Sequence, residues 1–438
     1  MLLPIDIAAT VKAALVCSAY AVLCICYLRP KSAHLITNAA EYEWVIGYAS
    51  QSGRAEQLAQ ELALRLPNAK AYALNALTAD SLKDIRQLIV VASTYGDGEA
   101  PDNASQFLAR LKKLNLPHLS FTVLGLGDTA YPQFCRFAKQ VEAALLRTQA
   151  TPKTPSAWLN GEDSDALNVW LAHLAEWLGD ALRLDSAWTA FSTYRLGDRH
   201  CLNAGGPGAP VYHLILHSET VQHWQAGDLL DVAIPNTTLT RCYSIANVDN
   251  TGQRIELLVR RQHNEQGELG LGSGYLTQQL QLNQLLHARL RSNPLFHAPD
   301  ENIPLILIGN GTGLAGLRSL LQERARRNHH ANWLIYGERT RQFDQHFAVE
   351  LNQWTEQGVL VHCDLVFSRD GDEDRHVQHR ISRYRTRILQ WLEQGAAIYV
   401  CGSLEGMGKD VHALFVEWLG DSAVNALQAQ GRYRRDLY

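Results

Sequence analysis

Residues 5–28 form a nearly unbroken apolar run, interrupted by Asp6, Thr10, Lys12 and Ser18. About 20 helical residues cross a bilayer core of roughly 30 Å, so this run predicts a single N-terminal membrane helix. A polar linker over 31–40 follows, and beyond it the pattern is that of a folded protein. Strand-length apolar runs at 43–49, 88–92 and 121–126 each end in a polar loop rich in glycine or hydroxyl groups. The first runs on into a helix with apolar positions Leu58, Leu62 and Leu66 on one face. Strand, loop and helix in repetition predict a doubly wound α/β layer. Residues 158–182 should close it, with Glu162, Asp163 and Asp165 in a loop and an amphipathic helix around Trp170, Leu174 and Leu178. From about residue 187 the runs shorten to 212–216, 229–234 and 255–260, separated by turn clusters such as Gly205-Gly206-Pro207-Gly208 and Asp249-Asn250-Thr251-Gly252. Short strands spaced by turns predict an antiparallel β-barrel. A buried-strand run at 304–308 then restarts the α/β pattern. The chain is thus expected to be α/β multidomain: anchor and linker over 1–40, then domains at 41–182, 183–298 and 299–438.

Composition changes this picture little. With 46% apolar and 19% charged residues the chain is ordinary for a globular protein, and a net charge of -4 gives no basic surface for nucleic acid. Eight cysteines without a CxxC pair read as reduced thiols, neither a disulfide framework nor a metal-ligand set. Arg29 and Lys31 follow the apolar run and Asp6 precedes it, which by the positive-inside rule places the later domains in the cytoplasm. A cleaved signal peptide fits less well, because its basic leading segment is missing. Residues 41–182 hold 12 Lys and Arg against 16 Asp and Glu. That balance suits either an ordinary solvated surface or an acidic docking face for a basic electron acceptor.

The candidate chemistry lies in the loops. Arg241-Cys242-Tyr243-Ser244 places a guanidinium, an aromatic face and a hydroxyl within four residues. In an extended segment Arg241 and Tyr243 share a face, where a fork-shaped cation suits a pyrophosphate and a phenol ring suits a flat heterocycle. This stretch resembles the FAD-anchoring Arg-x-Tyr-Ser of the ferredoxin-NADP reductase superfamily. Other motifs of the NADPH-dependent diflavin reductases surround it in family order. Ser50-Gln51-Ser52-Gly53-Arg54-Ala55-Glu56 resembles the FMN-phosphate loop Ser-Gln-Thr-Gly-Thr-Ala-Glu, with Arg54 in place of a threonine. The stretch from Thr94-Tyr95-Gly96-Asp97-Gly98 to Asn103 is similar to Thr-Tyr-Gly-x-Gly-x-x-x-x-Asn, with Tyr95 as a stacking face. Leu126-Gly127-Asp128, followed by Tyr131 and Phe134, is similar to Gly-Leu-Gly-Asn/Asp-x-x-Tyr-x-x-Phe, where Tyr131 would cover the other flavin face.

After the opening Arg-x-Tyr-Ser, Gly270-Leu271-Gly272-Ser273 resembles the turn that faces the FAD pyrophosphate. Gly311-Thr312-Gly313, with Gly316 where proline is usual, is similar to the pyridine-nucleotide loop. The stretch ending Gly337-Glu338-Arg339 matches a family strand ending in Gly-x-Arg. Ser368-Arg369 matches the pair that holds the 2′-phosphate of NADPH. By the resemblance Arg375 is expected to stand in for the usual lysine, and His376 replaces a tyrosine. Tyr399-Val400-Cys401-Gly402 resembles the nicotinamide-side stretch, and Asp436-Leu437-Tyr438 the aromatic cover of the FAD ring.

The resemblance covers residues 42–438. It implies an NADPH-dependent flavoprotein reductase with FMN, FAD and NADPH as cofactors, and no metal. Electrons would run from NADPH to FAD to FMN and on to a haemoprotein or other one-electron acceptor. Ser244, Cys401, Asp436 and Tyr438 would serve the hydride step. Direct reduction of a quinone or ferric chelate is an alternative. A degenerate scaffold or redox sensor is another, resting on Arg54, Cys242, Gly316 and His376. Only about sixty residues separate residue 182 from Arg241, so the helical connecting domain of many diflavin reductases has no room here.

Overall fold

The computed structural model describes residues 41–438 except 52, 95–97, 130–131, 162, 180–190, 238, 265 and 372. The predicted span at 5–28 lies outside the described residues, as do Ser52, Tyr95, Gly96 and Tyr131. The single-pass expectation finds no support elsewhere: among the described residues no helix is long and apolar enough to cross a membrane. Their longest α-helix, Ser164–Leu178, has 15 residues. At 1.5 Å per residue it reaches about 22 Å, short of a bilayer core of about 30 Å.

Three sheets follow one another along the chain. In the first, β1 (Trp44–Ala49), β2 (Ala69–Ala73), β3 (Gln87–Ser93), β4 (Ser120–Gly127) and β5 (Thr151–Pro152) lie in the order β2-β1-β3-β4-β5, with β6 (Ala157–Asn160) also beside β4. All pairs are parallel. This is the strand order of flavodoxin-like doubly wound sheets. The central strands are apolar throughout because helices cover both faces. Accordingly Val45, Ile46 and Leu88 to Ala92 are all buried. Helix α1 (Arg54–Arg65) buries Ala55, Leu58, Ala59 and Leu62 against one face. The closing helix α2 (Ser164–Leu178) buries Trp170 and Leu174 as the periodicity predicts. Asp163 is its N-cap, accepting from the Ala166 N–H at 2.9 Å, which satisfies one of the orphan amides of the first turn.

The second sheet is antiparallel, in the order β10-β9-β12-β7-β8-β11. Its strands are β7 (Ser192–Cys201), β8 (Val211–Ser218), β9 (Leu229–Ala233), β10 (Thr240–Ser244), β11 (Arg254–Arg260) and β12 (Leu285–Arg291). It curls until its edges meet: Ile245, just after β10, bridges Leu257 of β11. Full closure leaves no edge to template wrong pairing. Strand β7 escapes the hydrophobic pattern. A register shift between Leu196 and Asp198 breaks the alternation of β7, and β12 carries basic residues on one face.

The third sheet is wholly parallel, in the order β15-β14-β13-β16-β17. It comprises β13 (Leu305–Asn310), β14 (Asn332–Glu338), β15 (Leu360–Phe367), β16 (Ala397–Gly402) and β17 (Tyr433–Leu437). Strand order reverses beside β13, between β14 and β16, and such a switch point opens a crevice at the carboxyl ends of the strands.

Candidate functional site

Each sheet contributes one cavity, and Tyr438 lines all three. Its main chain is pinned: its N–H donates to the Gly402 carbonyl at 3.0 Å, and its own carbonyl accepts from Leu404 N at 3.0 Å. Its hydroxyl lies 3.0 Å from Thr312 Oγ1. The residue is 58% exposed, so the ring rather than the strand is the part free to turn.

The first cavity, about 450 Å³, opens where β3 and β4 end. Thr94, Leu126, Gly127, Asp128, Phe134 and Arg54 line it. Ser50, Gln51, Gly53 and Ala55 of the first loop do not. Ala55 packs into the core, and Gly53 adopts φ 81 with its Cα against the Ser292 carbonyl, where a Cβ would come within 2.0 Å. Gly98, at φ 94, shapes its loop against Arg136. Ser50 is buried and its Oγ has no hydrogen-bond partner, which fits an anionic acceptor at this loop. Gln51 reaches out of the domain, its Nε2 donating to the Arg435 carbonyl at 2.9 Å and its Oε1 accepting from Asp102 N at 2.9 Å.

The second cavity, about 380 Å³, is lined by Arg241, Tyr243, Ser244, Gly272 and Ser273. A Cβ on Gly272 would sit 2.6 Å from the Tyr243 hydroxyl, so only glycine lets the turn approach that strand. Arg241 is paired with Asp128 of the first sheet at 3.1 Å, so residues assigned to two different ligands meet across the modules. Beneath the cavity three strands converge on one carboxylate. Ser244 Oγ donates to Asp436 Oδ2 at 2.7 Å, and Cys401 Sγ donates to the same oxygen at 3.7 Å. Burial pushes the Asp436 carboxyl above its usual range, although both hydrogen bonds and Arg291 pull it down. Burial also pushes the Cys401 thiol up, next to that carboxylate, and keeps it protonated. Cys401 is fully buried and reaches the cavities only through Asp436 and Ser244.

The third cavity, about 600 Å³, opens at the carboxyl ends of β13, β14 and β16. Gly311, Thr312, Arg339, Ser368 and Arg375 line it together with His376. Gly313 instead lies against β16, where a Cβ would come within 2.1 Å of the Cys401 carbonyl. Arg369 is exposed beside this cavity rather than in its wall, its N–H donating to the Arg339 carbonyl at 2.8 Å. Burial lowers the Arg339 pKa, and the like charges of Arg260 and Arg369 lower it further. Such crowded cations are relieved by a bound phosphate.

Three features carry no sequence signal. Arg260 lines the second and third cavities and pairs with Glu338. Arg435 of β17 pairs with Asp102 of the first module, a contact spanning 333 positions. Arg291 projects from the end of the second sheet into the first cavity. An isolated arginine at a strand end matches no motif, so only folding reveals its neighbours.

Comparison with known proteins agrees with this build. Residues 46–157 match the flavodoxin family and residues 307–413 the oxidoreductase NAD-binding domain family. The sulfite reductase NADPH flavoprotein alpha-component of Vibrio vulnificus (strain CMCP6) is 28% identical over 537 residues, covering 89% of this chain and 86% of that one. The same component of Aliivibrio fischeri (strain ATCC 700601 / ES114) is 27% identical, covering 89% and 88%. That of Neisseria meningitidis serogroup C (strain 053442) is also 27% identical, covering 89% and 88%. About 390 residues of this chain align across the 537 positions of the first comparison, so roughly 150 positions of that relative have no counterpart here. With relatives of this kind and no spanning helix among the described residues, the single-pass membrane localisation expected from residues 5–28 is corrected and set aside.

Proposed function

We infer, from a flavodoxin-like domain joined to an oxidoreductase NAD-binding module in the diflavin reductase arrangement, that this chain is an NADPH-dependent diflavin reductase. The observation that carries this is the meeting of three cavities at one aromatic side chain, Tyr438. The first would take FMN, the second FAD and the third NADPH, within a flavodoxin-like part at 41–182, a barrel at 183–298 and a nucleotide part at 299–438. When bound, these groups supply the electron chemistry: hydride donation by the nicotinamide and onward one-electron transfer to an acceptor.

The chain's own residues bind, orient and screen. Arg241 and Ser273 would hold the FAD diphosphate, and Ser244 would present its hydroxyl to the ring edge. Asp436 orients Ser244 and places negative charge near where the nicotinamide becomes positive. Tyr438 excludes water and competes for the nicotinamide's place. The acceptor is proposed to be a haemoprotein or another one-electron carrier, met by the acidic first domain.

Denaturing the purified full chain should release FMN and FAD in equal amounts, and NADPH should drive reduction of a one-electron dye. Release of FAD alone would remove the flavodoxin-like domain from the electron path. Nucleotide choice is tested separately. Arg375→Ala should raise the NADPH Michaelis constant roughly 5- to 30-fold, a charge-assisted hydrogen bond discounted for a solvent-facing site. Arg369→Ala should do less, since its side chain stands exposed at the rim. Equal effects of Arg375→Ala on NADPH and NADH would show that Arg375 does not read the 2′-phosphate.

A further inference from the structure

Where the flavodoxin-like domain meets the barrel, three arginines surround one buried carboxylate. Asp231 on β9 lies 3.1 Å from Arg289 and 3.4 Å from Arg291, both at the end of β12. Burial alone would raise the Asp231 carboxyl, yet Arg291, Arg289 and then Arg54 outweigh it and hold it below its ordinary range. Arg54 belongs to the other module, following Gly53, whose Cα abuts the Ser292 carbonyl. The end of β12 is therefore pressed against the loop that carries Ser50.

Arg291 acts more strongly on Asp231 than on Asp436, whose carboxyl is itself shifted towards its neutral form by burial. The other carboxylates lining the first cavity have cations of their own: Asp128 pairs with Arg241 and Glu405 with Lys409. Arg54 and Arg291 both line that cavity. Arg291 Nε and Ser50 Oγ are buried donors with no hydrogen-bond partner, on opposite sides of the junction. Unpartnered buried donors, with an arginine from each module in the cavity wall, suit a dianionic phosphate monoester.

We propose that the FMN phosphate is gripped by both modules, by Arg54 from the flavodoxin-like domain and by Arg291 from the barrel. This rests on the assignment of the first cavity to FMN and goes beyond it. The cofactor then ties the two modules together, because half of its anion site disappears when they separate. A neutral loop threonine at position 54 would leave the phosphate to one domain; here Arg54 draws it towards the junction. Asp231 is the positioning residue, holding Arg289 and Arg291 in place.

The test compares FMN with riboflavin, which lacks the phosphate. The full chain, with its FMN removed and FAD kept saturating, is titrated with each ligand and read by quenching of ligand fluorescence. Arg291→Gln should weaken FMN binding roughly tenfold or more and leave riboflavin affinity unchanged, with a shallower salt dependence. Arg54→Ser should show the same selective loss from the other side, and Arg291→Lys should restore most of the affinity. Inorganic phosphate should compete with FMN in the unaltered chain and compete less well in Arg291→Gln. Equal weakening of FMN and riboflavin would mean that Arg291 only supports the fold, and the proposal would fall. Unchanged FMN affinity in both arginine variants would also overturn it. An unaltered chain that binds neither ligand would instead sink the FMN assignment, and this proposal with it.

Discussion

Asp436→Asn should slow hydride transfer from NADPH roughly tenfold to a hundredfold while both flavins stay bound. The substitution keeps an oxygen that accepts from Ser244 and Cys401, so the geometry beneath the second cavity survives. What it removes is the negative charge that, on the proposed reading, would steady the nicotinamide as hydride leaves. The pH profile separates this from simple disruption. Because burial raises the Asp436 pKa, the wild-type rate should fall as pH drops through a value above the usual carboxylate range. That acid limb should vanish in the variant. Stability should move the other way. A carboxyl whose folded pKa is raised binds protons better in the folded state, so its contribution declines as pH rises from its unfolded to its folded pKa. Once pH has risen past its folded pKa the ionised, buried group costs stability, and there Asn should match or exceed the wild type in thermal unfolding. A variant with full activity, or one that keeps the acid limb, would release Asp436 from the hydride step.

Tyr438→Ala should tighten NADP binding by roughly 3- to 10-fold, because the 58% exposed residue gains less than half of the about 1.5–3 kcal/mol of full aromatic burial. The ring stands at the junction of all three cavities, with its main chain fixed to Gly402 and Leu404. On the proposed reading, nicotinamide entry would need a side-chain rotation that breaks the contact with Thr312 while β17 stays paired. With the ring gone, bound nucleotide has no competitor, so turnover should fall through slow product release and NADH should be used almost as well. Calorimetric titration with NADP and a comparison of the NADPH and NADH rates measure both effects. Unchanged affinity together with unchanged preference would show that Tyr438 does not compete for the site.

Much of the architecture is legible in the residue order because its signals are local. Parallel strands buried on both faces must be continuous apolar runs, as Leu88 to Ala92 is, and the loops leaving them carry their ligand chemistry in consecutive residues. The same holds for Arg241, Tyr243 and Ser244 in the second cavity, and for Gly311 and Thr312 in the third. Motif membership does not distinguish a residue that lines a cavity from one that lets two backbones touch. Gly53 and Gly313 are needed because Ser292 and Cys401 approach them, and Ala55 because helix α1 packs there. Strand β7 was hidden for a different reason: a bulge erases the alternation on which periodicity depends.

The sequence by itself determined which groups are present and in what local order: two α/β layers, a run of short strands, and loops bearing hydroxyls, glycines and arginines. These follow from side-chain periodicity and turn chemistry, which act over a few residues. Only the tertiary structure decided which of those groups share a site. Ser244, Cys401 and Asp436 meet across 192 and 35 positions, Asp102 finds Arg435 across 333, and Arg291 enters a cavity built by another module. Those contacts are set by strand order and by how one module packs on the next, and no local pattern encodes either.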